Sequence, residues 1–495
     1  MAASGNIDVE AKRSSAQSTK LMFDVIQVQT DMIEVAKAAL KEQGDEITKY
    51  EDIGNLPDQL NHLRRLQMPK IQRGHHGATA LMTAASRNHI PMVQMLVKEF
   101  NANVETTDDF GNTPLLRAAG HDNYDMLRTL AKDLGANVNV QNRLGNTALI
   151  EAAKVGACNS IRILLGELGA DKEARNIFGA TALMTAAAAG QEEAARMLVR
   201  DYGADVNARN TLGNTPLMIA SGYGKIVMIR LLAGDLGADL EATDLFGSTA
   251  LMLAANNGET GAVKTLVRKY GVDVNAQNKL GESALSLAAY YGYSDIIYIL
   301  TRYGNANVEI KQKNGMTPLI VAAFNGQSDA AVQLVMDCGA NVEAKDDGGK
   351  TAVMRACMEG HLHTVRALCK RMKANVDARD DYGTTMLIEA AWQGNSDAVK
   401  ILVTLCKAKL NLQDKDGWTA LMAAAFRNHV DCVEILIQAK ADVMMVDREG
   451  RTAIDLAGRA SDVNLRSDNT RKIIGMITHV RDAVLEKVRA RALSV

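Results

Sequence analysis

Aromatic side chains are scarce in this sequence: Phe, Trp and Tyr make up 4% of its 495 residues, with seven Phe and two Trp. A core built on large rings is therefore excluded. With 47% hydrophobic residues and 23 methionines, the interior has to be assembled from Ala, Leu, Val, Ile and Met, which suits small, closely stacked helices. A charge excess is also missing. The formal net charge of -2 leaves no whole-chain electrostatic footprint for nucleic acid. The six cysteines, Cys158, Cys338, Cys357, Cys369, Cys406 and Cys432, lie far apart without a CxxC pair, so packed thiols in a reducing compartment are expected. The start, "MAASGNIDVEAKRSSAQS", lacks a hydrophobic signal core, and no run of about 18 apolar residues follows that could span a bilayer. A cytoplasmic protein, not integral to a membrane, is the expectation.

What is present is repetition. A glycine followed two residues later by Thr or Ser recurs at Gly77, Gly111, Gly145, Gly179, Gly213, Gly247, Gly281, Gly315, Gly349, Gly383 and Gly417, each 34 residues after the last. Gly450 with Thr452 follows after 33. Such a period marks a stacked repeat architecture. Each unit reads as a short helical pattern, a glycine, a second apolar helical pattern and a polar connection ending in Asx-x-x-Gly. Thr79, Thr113 and Thr147 are placed to cap the first helix, and Pro114, Pro216 and Pro318 follow at its first turn. Gly156, Gly190, Gly224, Gly258, Gly292, Gly326, Gly360 and Gly394 should end it in a left-handed conformation, with Asn88, Asp122 and Asn428 replacing glycine elsewhere. Asp108, Asn142, Asn176, Asn210, Asp244, Asn278, Asp346, Asp380 and Asp414 open the finger turns, where their side chains can bond backbone amides. Gln312 breaks that series.

The segments "GNTPLLRAA", "GNTPLMIAS", "GMTPLIVAA" and "GADVNARN" resemble the ankyrin repeat, with its TPLHxA helix start and GAxVN-like finger. The likeness covers about residues 74–463 in twelve units. It implies an all-α ankyrin solenoid with short β-hairpin-like fingers, acting as a non-enzymatic scaffold or adaptor that binds a protein partner on its concave face. Two departures stand out. The units are one residue longer than the usual 33, the addition lying between the second helix and the GA pair, as in "LVRDYGAD". The histidine of TPLH is absent throughout and is replaced mainly by Met82, Leu116, Ile150, Met184, Met218, Met252, Ile320, Met354, Ile388 and Met422, so apolar packing is expected where the family has hydrogen bonds. A second reading, an architectural component of a cytoskeletal or flagellar assembly, draws on the similarity of "TALM"-rich repeats to arrays common in single-celled flagellates.

The flanks differ from the array. Residues 1–73 read as a disordered start plus a helical N-terminal cap, with a coiled-coil-like seam over 16–42 at Leu21, Val25, Val28, Met32, Val35 and Ala39, and a shorter helix from Pro57 to Gln67. A dimerising or partner-binding role is the alternative to a cap. Residues 464–495 read as a basic amphipathic helix from about Asp468 to Ala492, with Ile473, Ile477, Val480, Val484 and Val488 on one face. Seven Lys or Arg, among them Arg481, Lys487, Arg489 and Arg491, stand there against three acids. Its first part should cap the array and its remainder should offer a second contact.

No catalytic or cofactor site emerges. "AKDDGGKTAV" ends like a phosphate-binding loop, but Ala344 stands where its first glycine belongs and Gly349 falls in the 34-residue register. Adjacent His75 and His76 have no Cys or carboxylate at ligand spacing. His361 and His363 lie in an inter-helix turn, where His361 matches the family's common GH pair and a structural role is expected. No enzyme, metal or cofactor is expected.

Two stripes carry the candidate partner-binding residues. The residue before the repeat glycine is Phe110, Leu144, Phe178, Leu212, Phe246 and Leu280 in six successive fingers, and then turns mostly polar. Seven residues after the capping Thr or Ser, on the first helix, stand Tyr290, Phe324, Met358, Trp392 and Phe426. The second stripe begins where the first ends. Either the side chains stiffen the array by leaning on their neighbours, or they form an apolar track that a partner covers.

Overall fold

The computed structural model describes residues 77–457 and 468–492. The expected N-terminal helices, His75, His76 and the side chains of Val488 and Arg491 lie outside the described residues. Within them the chain is helical, with no strands. Twelve inner helices run from Ala80–Ser86 to Ala453–Leu456, and all but the last are followed by an outer helix, as Ala148–Val155 is by Cys158–Gly166. Inner helices pack on inner helices and outer on outer. Isolated antiparallel bridges, Lys345 to Thr351 and Arg379 to Thr385, give two fingers their hairpin character.

The local chemistry of each unit explains its boundaries. Thr147 Oγ1 accepts from the Ile150 amide at 3.4 Å, and Thr113, Thr181, Thr215 and Thr385 do likewise for their helices. Thr351 is an exception, because its buried hydroxyl makes no cap bond. Pro114, Pro216 and Pro318 are the first helical residues, where a missing N–H costs nothing. The left-handed stops are where the sequence places them: Gly156 has φ of 75°, and Asn88, Asp122 and Asn428 adopt 58°, 56° and 65°.

Two sequence expectations need correction in detail. At the position of the family's histidine, packing does not wholly replace hydrogen bonding. Met82, Met218 and Met422 turn their sulfurs back to the amides of Thr79, Thr215 and Thr419 at 3.5, 3.4 and 3.5 Å. Ser286 and Asp455, in the same position, make the stronger oxygen version at 2.8 Å. A flexible thioether thus supplies a weak acceptor where a β-branched Ile150 or Ile320 cannot.

The additional residue is not in a loop. It widens the last turn of the outer helix. Ala136, Ala170 and Ala340 donate to Leu130, Leu164 and Leu334, six residues back, at 2.8, 2.9 and 2.8 Å. In the one unit a residue shorter, Ala441 donates to Leu436, five back, at 2.9 Å, which is the ordinary Schellman closure. Three outer helices accordingly finish in π-type turns: Thr129–Asp133, Leu231–Asp235 and Leu266–Tyr270. The finger register is unaffected.

Finger turns close on their leading Asx residue. Asn176 Oδ1 accepts from the amides of Phe178 and Ala180, both at 3.0 Å, and Asp108 does the same for Phe110 and Asn112. At Gln312 the role moves two residues on, to Asn314, which accepts from the Met316 amide. The second carboxylate oxygen usually finds a cation: Arg117 for Asp108, Arg355 for Asp346, and Arg451 for Asp447, at 2.6, 2.6 and 2.7 Å. Asp244 has none. Its Oδ2 is buried without a hydrogen-bond partner, and burial pushes its pKa up despite the Ser248 and Phe246 amides.

Asn replaces Asp at the equivalent positions 142, 176, 210 and 278, so Asp244→Asn should keep the turn. It should stabilise the protein at pH 7 by on the order of 1 kcal/mol, the usual cost of an imperfectly paired buried polar group. The sign follows from linkage. A carboxyl whose folded pKa is raised penalises folding once it ionises, so the advantage of Asn is full above the folded pKa and vanishes below the ordinary Asp value. Urea melts of both proteins at pH 7 and pH 3.5 test this; a gap independent of pH refutes it.

Candidate partner-binding surface

The finger position before the repeat glycine has a backbone task from Phe110 through Asp416. Its carbonyl accepts an amide from the next finger: Arg143 to Phe110, Ile177 to Leu144, Thr211 to Phe178, Leu245 to Leu212, Lys279 to Phe246 and Lys313 to Leu280, at 2.8 to 3.1 Å. The ladder continues where the side chain is no longer apolar, with Asp347 on Asn314 and Asp381 on Gly348 at 3.2 and 3.3 Å. Stacking of the fingers therefore rests on main-chain atoms, and the side chain at this position is free to vary. Because any residue supplies that carbonyl, six apolar side chains in succession need a further cause.

Further bonds hold the fingers in line. Arg379 Nη1 donates to the Gln413 carbonyl and Lys311 Nζ to the Lys345 carbonyl, at 2.7 and 2.9 Å. Arg175 makes the same reach to Arg209 O. His361 and His429 serve the helices in the same way. Each stands before an outer helix and bonds a carbonyl in the last turn of the previous unit's inner helix, Phe324 O at 3.0 Å and Trp392 O at 3.1 Å. The "GKT" lysine is equally ordinary: Lys350 Nζ pairs with Asp380 Oδ2 at 2.9 Å.

On this frame none of the eleven candidate residues is buried. Phe110, Phe246, Leu280 and Tyr290 are exposed, at 40 to 49%. Leu144, Phe178, Leu212, Phe324, Met358, Trp392 and Phe426 are half-buried, so these seven combine contact with their neighbours and an open face. Two residues that sequence reasoning passed over are more exposed than the phenylalanines beside them. Ile177 and Leu245, one position earlier in their fingers, reach 58% and 57%. Their exposure is set by how the next finger packs, which the repeat position before the glycine does not encode.

The second stripe is organised by ring contacts. Trp392 stacks on Phe426 with centroids 5.7 Å apart and planes 17° from parallel. Trp418 meets both rings, at 5.8 and 5.0 Å, and the Arg427 guanidinium lies 5.2 Å from Trp392. Trp418 was missed because it follows the repeat glycine, outside both stripes. Its rarity was the available signal, since it is one of only two tryptophans. Further back, Tyr290 and Tyr291 pack edge to face at 4.8 Å, and Tyr291 stacks on Tyr293 at 5.5 Å. Burial, reinforced by its tyrosine neighbours, pushes Tyr291 to about 12, and burial also raises Glu282.

Among the described residues no group of three His, Cys, Asp or Glu is disposed to hold a metal ion, and no helix is long and apolar enough to cross a membrane.

No curated protein matches the chain. A family model described as "Ankyrin repeats (3 copies)" matches it six times, over residues 54–142, 134–210, 206–278, 251–346, 328–414 and 403–465. Together with the helix pairs, capping threonines and bonded fingers described above, these matches establish that the chain belongs to the ankyrin-repeat family.

Proposed function

We propose that this chain is a non-enzymatic, cytoplasmic scaffold that takes a protein partner on the concave face of its array, with residues 74–463 as the binding array and residues 1–73 and 464–495 as flanks. Ankyrin repeats are generally protein–protein interaction modules. The observation that carries the finer reading is the apolar run of finger side chains at a position whose structural work is done by the backbone. Its partner stripe, the Trp392, Trp418 and Phe426 platform, continues that run with the residue types that dominate binding energy at interfaces. If a partner covered half of the eleven side chains, at roughly 1.5 to 3 kcal/mol each, the gain would pass the low end of the association cost, about 4 to 15 kcal/mol. The basic end of the C-terminal helix is a second contact, suited to an acidic protein surface.

Proximity labelling in the native cell identifies the partner, and titration with that partner then tests the track. Phe178→Ser with Phe246→Ser, and separately Trp392→Ser with Phe426→Ser, should each weaken binding by about tenfold or more while the fold persists. The second pair also loses ring contacts of about 0.5 to 1.5 kcal/mol each, a modest cost confined to one junction. Unchanged affinity in both double variants, or collapse of the melt, would assign the stripes to inter-repeat packing. Fractionation separates the architectural reading, which requires a salt-resistant cytoskeletal pellet.

A further inference from the structure

The repeat register brings two of the six cysteines together across adjacent outer helices. Cys338 Sγ, just beyond the outer helix Ser328–Met336, donates at 3.5 Å to Thr301 Oγ1 in the outer helix before it, Ser294–Arg302. Two repeat lengths further along the sequence, the same two positions are Cys369, near the end of the outer helix Leu362–Arg371, and Cys406, just beyond the outer helix Ser396–Thr404. Those helices pack on each other, so the register that sets Cys338 against Thr301 sets Cys406 against Cys369. Both cysteines are half-buried, within reach of a small reagent, whereas Cys357 and Cys432 are buried.

We propose that Cys369 and Cys406 are a thiol pair that a peroxide converts to a reversible disulfide, clamping the ninth and tenth units of the array. The surroundings assign different roles to the two sulfurs. Cys406 is held below the ordinary thiol range by its pairing with Cys369 and, against the opposing effect of burial, by the positive charge of Lys370 and Arg366. Cys369, the other member of the pair and partly buried, is pushed up. The other four cysteines are raised chiefly by burial, Cys357 to about 12 and Cys432 to about 11. Cys406 is therefore the nucleophile, since the thiolate is the reactive form.

The Cys406 thiolate attacks one oxygen of hydrogen peroxide. The O–O bond breaks, hydroxide leaves and takes up a proton as water, and Cys406 becomes a sulfenic acid. Cys369, its proton lost to solvent, attacks the sulfenic sulfur; the S–O bond breaks and a second water departs. Two thiols give two electrons to one peroxide. A disulfide needs Cα atoms about 4.4 to 6.8 Å apart, so the two chain segments have to be held at that spacing in the oxidised form. Cys406 lies past the last helical residue, next to Lys407 at φ of 59°, with its amide bonded to the Ile401 carbonyl at 3.1 Å. In a solenoid stabilised by nearest-neighbour interfaces, such a clamp stiffens the junction that carries Met358 and Trp392.

The test uses the full chain, treated with one equivalent of hydrogen peroxide, alkylated and digested without reductant. The free thiol count should fall from six to four, a cross-linked peptide joining Cys369 and Cys406 should appear, and dithiothreitol should remove it. The oxidised protein should melt at a higher temperature than the reduced one. Cys369→Thr preserves packing, because Thr301 already fills the equivalent position, and it should abolish the cross-link while leaving Cys406 as a dimedone-reactive sulfenic acid. Oxidation of Cys406 to sulfinic acid in the parent protein with Cys369 still free would overturn the proposal. So would thiol loss confined to other cysteines.

Discussion

Gly179→Ala is expected to destabilise the junction between the fourth and fifth units by about 3 kcal/mol and to split the array's urea unfolding into two transitions. The glycine sits at φ of 71°, where a β-carbon costs about 1 to 2 kcal/mol. That β-carbon would also stand 2.7 Å from the Thr211 amide nitrogen and 3.2 Å from the Asn210 carbonyl carbon. Both are backbone atoms, so the next finger has to shift. The shift strains the Thr211 amide bond to Phe178 O, now 3.0 Å, a further loss of about 1 kcal/mol. Since each unit contacts only its neighbours, one weakened junction uncouples the two sides.

The control is a glycine of similar φ with open surroundings. Gly169 has φ of 67°, and a β-carbon there would meet nothing within 4 Å. Gly169→Asn should therefore cost well under about 1 kcal/mol, because Asn tolerates the left-handed region. The chain performs this substitution itself. Asn101, Asn305, Lys373, Lys407 and Lys440 occupy the equivalent position at φ of 52 to 70°. Equal losses from Gly179→Ala and Gly169→Asn would refute the close-approach argument.

The second large effect belongs to the C-terminal helix. Helix Asp468–Ala492 packs against the outer helix Val430–Gln438 and the short inner helix Ala453–Leu456, taking the place of the twelfth unit's outer helix. Ile473 and Ile477 are completely buried there, and Thr470 bonds to the Asn428 side chain at 3.4 Å. Val480 is half-buried, while Val484 and Leu485 are exposed. Ile473→Asp buries an unpaired carboxylate in an apolar contact. It should release the helix and expose the last two inner helices, at a cost of at least about 4 kcal/mol. Hydrogen exchange should report lost protection over Ala420–Leu456 and unchanged protection before about residue 380.

Truncation after Val480 keeps Thr470, Ile473 and Ile477 and should leave that protection intact. It removes Lys487 and Arg489 with the exposed Val484 and Leu485, so one salt-sensitive interaction with an acidic partner should disappear. If the truncated chain instead loses its last units, the whole helix is a cap and its basic face only meets water.

The sequence by itself determined the unit. Thr at the cap, Pro at the first turn, Gly or Asx at the left-handed stop and Asx at the finger each act through bonds within a few residues, and so were legible without the fold. The position of the apolar stripes was legible for the same reason, because a fixed period places equivalent residues on one surface. Tertiary structure decided what depends on the neighbouring unit. The fate of the thirty-fourth residue required the widened turn that ends at Ala136 or Ala340, a choice between loop and helix that spacing alone leaves open. Trp418, Ile177 and Leu245 joined the surface through contacts and exposure set by the next finger. Cys369 meets Cys406 only because two outer helices lie side by side, a separation of 37 residues that no local pattern reports.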